Sequence, residues 1–122
     1  IGSAVFPLIN EGCFFISAEV GTAVTNEALK EIYYEINSLA EKNVGHDELQ
    51  KVRNYMMGEF LRSVDGPFAL ADKFKGLLLF GLDYDFYDNY IRTIKNISPG
   101  NIRDLAQKYF RKDDLFEVVV GS

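Results

Sequence analysis

The sequence has little of the residue types that form cross-links or metal sites. Its 122 residues include one cysteine, one histidine, three prolines and no tryptophan. A single cysteine, Cys13, excludes a disulfide within the chain and fits a reducing compartment such as the cytoplasm. A single histidine, His46, excludes motifs that place two histidines on one zinc ion, which takes three or four His, Cys, Asp or Glu ligands.

Long apolar runs and an excess of basic residues are also missing. No run approaches the ~20 apolar residues of a membrane-spanning helix, and the chain does not open on a signal-peptide pattern. The 13 basic residues are outnumbered by 18 acidic ones, which gives a formal net charge of −5. The sequence therefore predicts no membrane partner and no nucleic-acid partner, since the latter needs a basic face.

What remains is the composition of an ordinary soluble domain. Hydrophobic residues make up 48% and charged residues 25% of the chain, and the length suits one domain or a large part of one. The chain begins with Ile1 rather than methionine and opens directly on strand-like sequence. We interpret residues 1–122 as a single partial domain, either a fragment or a processed chain.

Strand patterns stand at both ends of the chain. Residues 1–9 and 13–20 are apolar, β-branched and aromatic, and the short connection between them, Asn10, Glu11 and Gly12, contains a glycine, which predicts a hairpin. Pro7 has no amide hydrogen, so it belongs at a sheet edge or a strand irregularity. Residues 115–121, LFEVVVG, predict a buried closing strand.

Helical periodicity fills the middle of the chain. Apolar residues recur at steps of three and four from residue 26 to residue 40, from 46 to 64, from 67 to 81, from 84 to 96 and from 98 to 109. The expected inward side chains are Leu29, Ile32, Tyr33, Ile36, Leu39 and Ala40; Leu49, Val52, Met56, Phe60 and Val64; Phe68, Ala71, Phe74, Leu77 and Leu78; Tyr87, Tyr90, Ile91 and Ile94; Ile102, Leu105, Ala106 and Tyr109.

Turn and cap residues mark where these helices begin and end. Gly66 can leave one helix and Pro67 can open the next, and Ser98 can cap the helix that Pro99 starts. The third helix is apolar nearly all round at its end and is expected to be buried there. The fold class predicted is α+β, an antiparallel sheet of the N-terminal hairpin plus the C-terminal strand, with about five helices packed on one face.

His46 is the first chemical candidate, because Asp47 and Glu48 stand beside it. A metal site there needs carboxylates that the spacing does not select. Gly45 is a suitable helix cap, and it makes these three residues the first turn of a helix. Glu48 then holds the capping-box position, and both acids complement the positive end of the helix dipole. We predict a helix start rather than a reactive centre.

The remaining candidates also favour structural interpretations. Asp83, Asp85 and Asp88 lack the spacing, the glycine and the terminal glutamate of a calcium loop, so they predict a cap and a solvated helix start. Cys13 lies in a strand rich in phenylalanine, has no histidine nearby in sequence and is expected to be a small buried apolar side chain. The glycines match neither a Walker A loop nor a dinucleotide-binding loop. The residues alone predict no catalytic, cofactor-binding or metal site.

Two stretches nevertheless resemble one enzyme family. Residues 26–63 form a helix, a short gap and then the pattern Val44, Glu48, Leu49, Arg53 and Asn54. Residues 81–121 place Ile91, Ile94, Ser98, Ile102, Ala106, Tyr109 and Phe110 ahead of the ending Val118 to Gly121. In this order and spacing they resemble the insulinase/pitrilysin-type zinc metallopeptidases, also called inverzincins.

The resemblance implies repeated α+β domains, of which an N-terminal copy binds zinc through His-x-x-Glu-His and a distal glutamate. The C-terminal copy lacks these ligands and closes a chamber around a peptide substrate. The chain resembles the latter half of that zinc-less copy, with the substrate-holding Arg and Tyr of the family falling upstream, so Arg53 and Arg62 receive no catalytic role. The zinc-bearing copy stays an alternative, in which Glu27, Glu31 or Glu35 takes the place of the distal glutamate.

The resemblance leads to one functional prediction with two alternatives. The first is a non-catalytic portion of a zinc-dependent peptidase, with no cofactor in this chain, zinc in a partner domain or subunit, and a peptide substrate in the full protein. The alternatives are a non-enzymatic scaffold subunit of the same fold and an unrelated α+β binding module. An unpaired sheet edge also predicts self-association into a homo-oligomer through strand pairing.

Overall fold

A two-stranded antiparallel hairpin opens the chain, as predicted. In the computed structural model, which describes residues 1–121, β1 (Gly2–Pro7) pairs with β2 (Gly12–Ser17). The register sets Val5 opposite Phe14, so these two side chains share one face of the sheet. Ser122, the last residue of the predicted domain, lies outside the described residues.

The hairpin loop shows why Pro7 is tolerated in a strand. The amide of Leu8 donates to the carbonyl of Glu11 at 2.7 Å, next to the pair formed by Pro7 and Gly12. Backbone groups of an antiparallel ladder point alternately toward the partner strand and away from it. The Leu8 bond therefore turns the backbone of Pro7 to the outer edge of β1, where no ladder bond needs its missing amide.

Five α-helices follow, close to the predicted positions. They are α1 (Thr25–Glu41), α2 (His46–Arg62), α3 (Pro67–Leu79), α4 (Asp85–Asn96) and α5 (Pro99–Tyr109). Short 3₁₀ helices precede α1 and follow α5, at Thr22–Val24 and Lys112–Asp114. A hairpin followed by five helices is an α+β architecture. Within the described part of the chain, no helix is both long enough and apolar enough to cross a membrane.

Local sequence signals set the helix ends. Gly66 precedes α3 with φ 91° and ψ 163°, a conformation that is essentially restricted to glycine, and Pro67 occupies the first helical position. Ser98 caps α5, because its hydroxyl oxygen accepts the amide of Asn101 at 3.1 Å, while the Asn101 side chain accepts the amide of Ser98 at 2.9 Å. This reciprocal pair is a capping box with asparagine at its third position.

The described residues divide into two units. The first consists of residues 1–43 together with Ile102 onward, and the second of residues 44–101. In the first unit Ile36 of α1 and Ala106 of α5 are buried, and in the second Leu49, Leu77 and Ile94 are buried. Each unit thus has a small apolar core of its own, built from inward positions that the helical periodicity predicted.

The predicted third strand is not formed. Residues 115–121 pair with neither strand, and the sheet of the described chain consists of β1 and β2 alone. Leu115 has an extended backbone, with φ −93° and ψ 129°, yet Phe116 beyond it is 94% exposed. A strand requires a neighbour as well as an apolar sequence, and the sequence pattern reports only the second requirement.

Helix packing on the sheet also differs from the expectation. Every residue of β1 is exposed, and in β2 only Ile16 is half-buried, so within the first unit α1 and α5 leave the sheet largely uncovered. Among the described residues a single ring contact from the sheet joins Phe14 to Phe110, which follows α5, with ring centroids 4.9 Å apart.

The end of α3 is exposed where burial was expected. Leu77 is buried, but Leu78 and Leu79 are 60% and 64% exposed. An all-apolar helix end predicts burial only when neighbouring elements surround it on every side, and here a single side is covered. In α5, likewise, Ile102 and Ala106 face inward, while Leu105 and Tyr109 are exposed.

Candidate functional site

His46 starts α2, as the sequence predicted. Gly45 is the N-cap residue, with φ −62° and ψ 143°, and its carbonyl accepts the amide of Leu49 at 3.0 Å. His46, Asp47 and Glu48 are all exposed on the first turn. No side chain bonds to the cap, so Glu48 acts through its charge at the positive end of the helix and not through a capping box.

The described residues do not assemble a metal site. Across residues 1–121, no group of three or more His, Cys, Asp or Glu side chains is placed to hold a metal ion. Glu27, Glu31 and Glu35, the candidates for a distal zinc ligand, are exposed on α1. The described residues therefore do not assemble a complete zinc ligand set among themselves.

Cys13 is exposed on β2, so its expected burial is wrong. The prediction rested on the two phenylalanines that follow it and assumed that helices would cover the sheet. Residues on one strand alternate between two faces, and Cys13 shares its face with Phe15 and with Phe6 of β1. That face carries 57% exposed Phe6, which shows that it is open.

Of the three aspartates only Asp83 precedes α4, whose N-cap residue is Tyr84 and makes no side-chain cap hydrogen bond. The Asp83 carboxylate accepts the amide of Asp85 at 3.0 Å, and Asp85 and Asp88 lie exposed in the first turn of the helix. Acidic side chains in this position complement the helix dipole. The solvated helix start agrees with the prediction, whereas the predicted aspartate cap is replaced by an Asx turn at Asp83. Among the described residues the three aspartates form no metal-binding group.

In the second unit, the Arg53 side chain joins α2 to the end of α4 by hydrogen bonds. Its Nε donates to the carbonyl of Ile94 at 3.1 Å, and its guanidinium also donates to the carbonyl of Ile97 at the end of α4. A third donation reaches Gln50 one turn earlier on α2, at 3.3 Å. The last carbonyls of a helix have no partner within it, so the arginine satisfies groups at the negative end of α4.

The position of Arg53 corrects the predicted inward stripe of α2. Val52 and Met56, expected inside, are exposed, whereas Arg53 and Met57 are half-buried beside buried Leu49. The stripe is rotated toward Arg53, whose guanidinium donates to carbonyls at the end of α4 from a half-buried position. Arg53 thus performs a structural role, and Arg62 forms a surface pair with Glu59 in the same helix.

An aromatic cluster in the second unit also joins α2 to α4. Phe60 of α2 contacts the rings of Tyr87 and Tyr90 of α4, both at 5.7 Å between centroids. The Tyr87 hydroxyl donates to the carbonyl of Lys73 at 3.3 Å, and the Lys73 ammonium lies 5.8 Å from the Tyr87 ring. Burial raises the pKa of the Tyr87 phenol, and neighbouring Tyr84 raises it further. The cluster ties α2, α3 and α4 together.

The first unit has a polar contact between α1 and the C-terminal segment, residues 115–121. The Tyr33 hydroxyl donates to the Glu117 carboxylate at 3.3 Å. Desolvation raises the pKa of the Tyr33 phenol, and the adjacent carboxylate raises it further. Gln107 of α5 also donates to the carbonyl of Ala40 at the end of α1, at 2.8 Å.

Sequence reasoning missed the contacts that join residues far apart in the chain. Arg53 and Ile94 are 41 positions apart, and Tyr33 and Glu117 are 84 apart. The helical period places Arg53 on the polar side of α2, away from the predicted stripe, so the sequence carried no signal of its contact. None of these contacts pairs a nucleophile with a base, so their chemistry is that of packing and capping.

Comparison of the chain with family models, curated proteins and solved structures gives no match. The resemblance to the insulinase/pitrilysin-type peptidases therefore stays a prediction from the quoted motifs.

Proposed function

We propose that this chain is a non-catalytic portion of a zinc-dependent peptidase. It contributes chamber wall and interdomain surface, while a zinc-bearing domain or partner subunit hydrolyses the peptide. The observation that carries the proposal is the helix pair α1 and α2 with its motif residues Glu48, Leu49, Arg53 and Asn54, which resembles the insulinase/pitrilysin-type pattern.

The use of the motif residues supports a wall rather than a catalytic centre. Leu49 is buried, and Arg53 is occupied by the carbonyls at the end of α4. The motif therefore builds the joint between two helices and leaves no free cation for a substrate. The described part of the chain also brings no metal-binding group together.

The exposed apolar surface of α3 supports contact with a neighbouring domain. Phe68, Leu78 and Leu79 are 86%, 60% and 64% exposed on a helix whose core residue is Leu77. Apolar side chains exposed along one helix are typical of surfaces that a partner covers. The same surface suits the second candidate function, a non-enzymatic scaffold subunit, in which assembly is the whole role.

Two measurements on the isolated chain test its non-catalytic role. Metal analysis should find less than stoichiometric zinc, and peptide cleavage should stay at the level of a blank. His46→Ala should change neither result, because His46 is an exposed helix-start residue. A zinc content of one per chain that disappears in His46→Ala would contradict the proposal.

A third measurement separates peptidase from scaffold. The protein is tagged in the cells that produce it and purified under non-denaturing conditions. The purified material is then analysed for zinc and for peptide cleavage that a chelator inhibits. Sequencing shows whether the same or an associated polypeptide contains His-x-x-Glu-His. The peptidase proposal expects all three together. A stable assembly that contains neither the motif nor zinc assigns the chain to the scaffold function instead.

A further inference from the structure

The C-terminal segment, residues 115–121, has the sequence of a strand and an extended backbone at Leu115, but no strand beside it. Leu115 is extended, and its amide is the last in the described chain to form a backbone hydrogen bond, to Lys112. Beyond it Phe116, Val118, Val119 and Val120 are 94%, 83%, 58% and 92% exposed. An extended apolar segment with unpaired backbone groups is a donor for strand addition.

The two faces of this segment differ. Glu117 is bonded to Tyr33 of α1, and Leu115 two positions earlier is half-buried. Because side chains alternate in a strand, Phe116, Val118 and Val120 share one face of the segment when it forms a strand, and Glu117 and Val119 share the other. Glu117 is the contact of the segment with its own α1, and the three most exposed apolar side chains fall on the opposite face.

The hairpin offers the matching acceptor at the outer edge of β2. Pro7 belongs to a pair without mutual hydrogen bonds, so its backbone groups point away from β2. The same holds for its partner Gly12 and for Phe14 and Ile16, whose amides therefore point to the outer edge of β2. The edge of β1 is the poorer acceptor, since Pro7 has no amide there. On the sheet, Phe14 already contacts Phe110, whereas the face that holds Cys13 and Phe15 is open.

We propose that a second copy of this chain supplies the third strand of the sheet, by laying its C-terminal segment antiparallel along the outer edge of β2. Val118 then lies opposite Phe15 and Val120 opposite Cys13, so that the three exposed apolar side chains of the segment cover the open face. The proposal goes beyond the function proposed above and does not depend on it.

A second copy is favoured because each chain carries one donor and one acceptor. In the structure the segment lies at its own α1 and not at its own hairpin, whereas mutual exchange between two copies uses both features at once. The exchange is two-fold symmetric, so each segment pairs with one hairpin and the assembly ends at two chains. Two exchanged segments with their hairpin surfaces bury on the order of 1,000 Å², the lower end of specific interfaces.

The only cysteine of the chain allows a direct test. In the proposed register position 120 lies directly opposite Cys13 in a pair without mutual hydrogen bonds, where Cα atoms are ~4.5 Å apart and a disulfide can form. Under mild oxidation Val120→Cys should give a covalent dimer with two disulfides between Cys13 and position 120. Val119→Cys is the matched control, because its side chain lies on the other face and should not be trapped.

Three comparisons make the trapping experiment decisive. Adding Cys13→Ser to Val120→Cys should abolish the disulfide to the hairpin. Oxidation of the unmodified chain measures the background of dimers linked through Cys13 of both copies. Peptide mapping of the oxidised dimer should recover β2 linked to the C-terminal segment. An intrachain disulfide of monomer mass, equal trapping at positions 119 and 120, or no trapping overturns the proposal.

Sedimentation equilibrium tests the unmodified chain. The average mass should rise toward twice the monomer mass with concentration. Val119→Pro should shift the chain toward the monomer, since that amide points into the new ladder, while Val119→Thr should leave the dimer. Circular dichroism should show the helices intact in both variants. A monomer at all concentrations, or equal masses for Pro and Thr, contradicts the proposal.

Discussion

The guanidinium of Arg53 and the backbone carbonyl of Ile94 are joined at 3.1 Å, across 41 positions of the chain. This contact fastens the middle of α2 to the end of α4, and a further donation from Arg53 to Ile97 completes it. It places a positive charge at the negative end of a helix, in a half-buried position where water competes only in part.

Replacing Arg53 should therefore destabilise the protein more than replacing a surface arginine. Arg53→Ala leaves two helix-end carbonyls without their donor and removes a packed aliphatic stem, so we expect a loss of about 1–3 kcal/mol in the free energy of unfolding. Urea denaturation measures it. Arg62→Ala is the control, because its exposed pair with Glu59 is worth less than about 1 kcal/mol. Equal losses in the two variants contradict the structural role of Arg53.

Two glycines around α3 should respond to alanine in opposite directions. Gly66 has φ 91° and ψ 163°, so Gly66→Ala should cost about 1–3 kcal/mol of stability. Gly76 lies inside α3 with open space around its missing Cβ, so Gly76→Ala should gain about 0.5–1 kcal/mol. Thermal melts of both variants beside the unmodified protein measure the effects. Destabilisation by Gly76→Ala would show that this position is not helical.

Removing the cap of α5 should cost about 1 kcal/mol, within the range for helix N-caps. In Ser98→Ala the amide of Asn101 loses its acceptor, and the Asn101 side chain loses one of its two bonds to residue 98. Ser98→Asp retains a capping oxygen and should restore most of the stability. Urea denaturation of the pair measures the difference, and equal losses for alanine and aspartate would rule out capping as the reason.

Tyr87 should make stability depend on pH in the alkaline range. Burial raises the pKa of its phenol above the value of about 10 in an unfolded chain, so folding favours the protonated form. The stabilisation is therefore complete below pH ~10 and is lost as the pH rises through the raised pKa.

The phenolate absorbance of the folded protein measures this effect. Tyr33 and Tyr87 both have a raised phenol pKa, so Tyr87→Phe should reduce the late-titrating absorbance by one phenol and leave that of Tyr33. The free energy of unfolding of that variant should also fall less steeply at alkaline pH. Tyr55→Phe, at a position with 66% exposure, is the control. A late component that persists unchanged in Tyr87→Phe would contradict the prediction.

Local signals in the sequence were sufficient for the helices and the hairpin. A positive-φ glycine before a proline and a serine before a proline constrain only a few neighbouring dihedral angles, and the helices begin at Pro67 and Pro99 as predicted. The inward residues of α1 and α4 follow in the same way from the helical period.

Features that depend on distant partners were not accessible in this way. Residues 115–121 have strand composition, but pairing requires a second strand at the right distance and register. Cys13 was expected to be buried because its neighbours are aromatic, yet burial depends on what covers the sheet. Arg53 was placed on the outer face of α2, since a charge in isolation favours water, and its carbonyl partners lie on another helix.

The open edge of β2 also determines how the chain resists aggregation. Residues 12–18 contain no charge and no proline, and a free, uncharged edge strand is a template for cross-β stacking. Exposed Glu11 and Glu19 flank this stretch on both sides. Strands stacked in register would bring these like charges into rows, so the two glutamates act as gatekeepers that disfavour fibres while leaving the edge open.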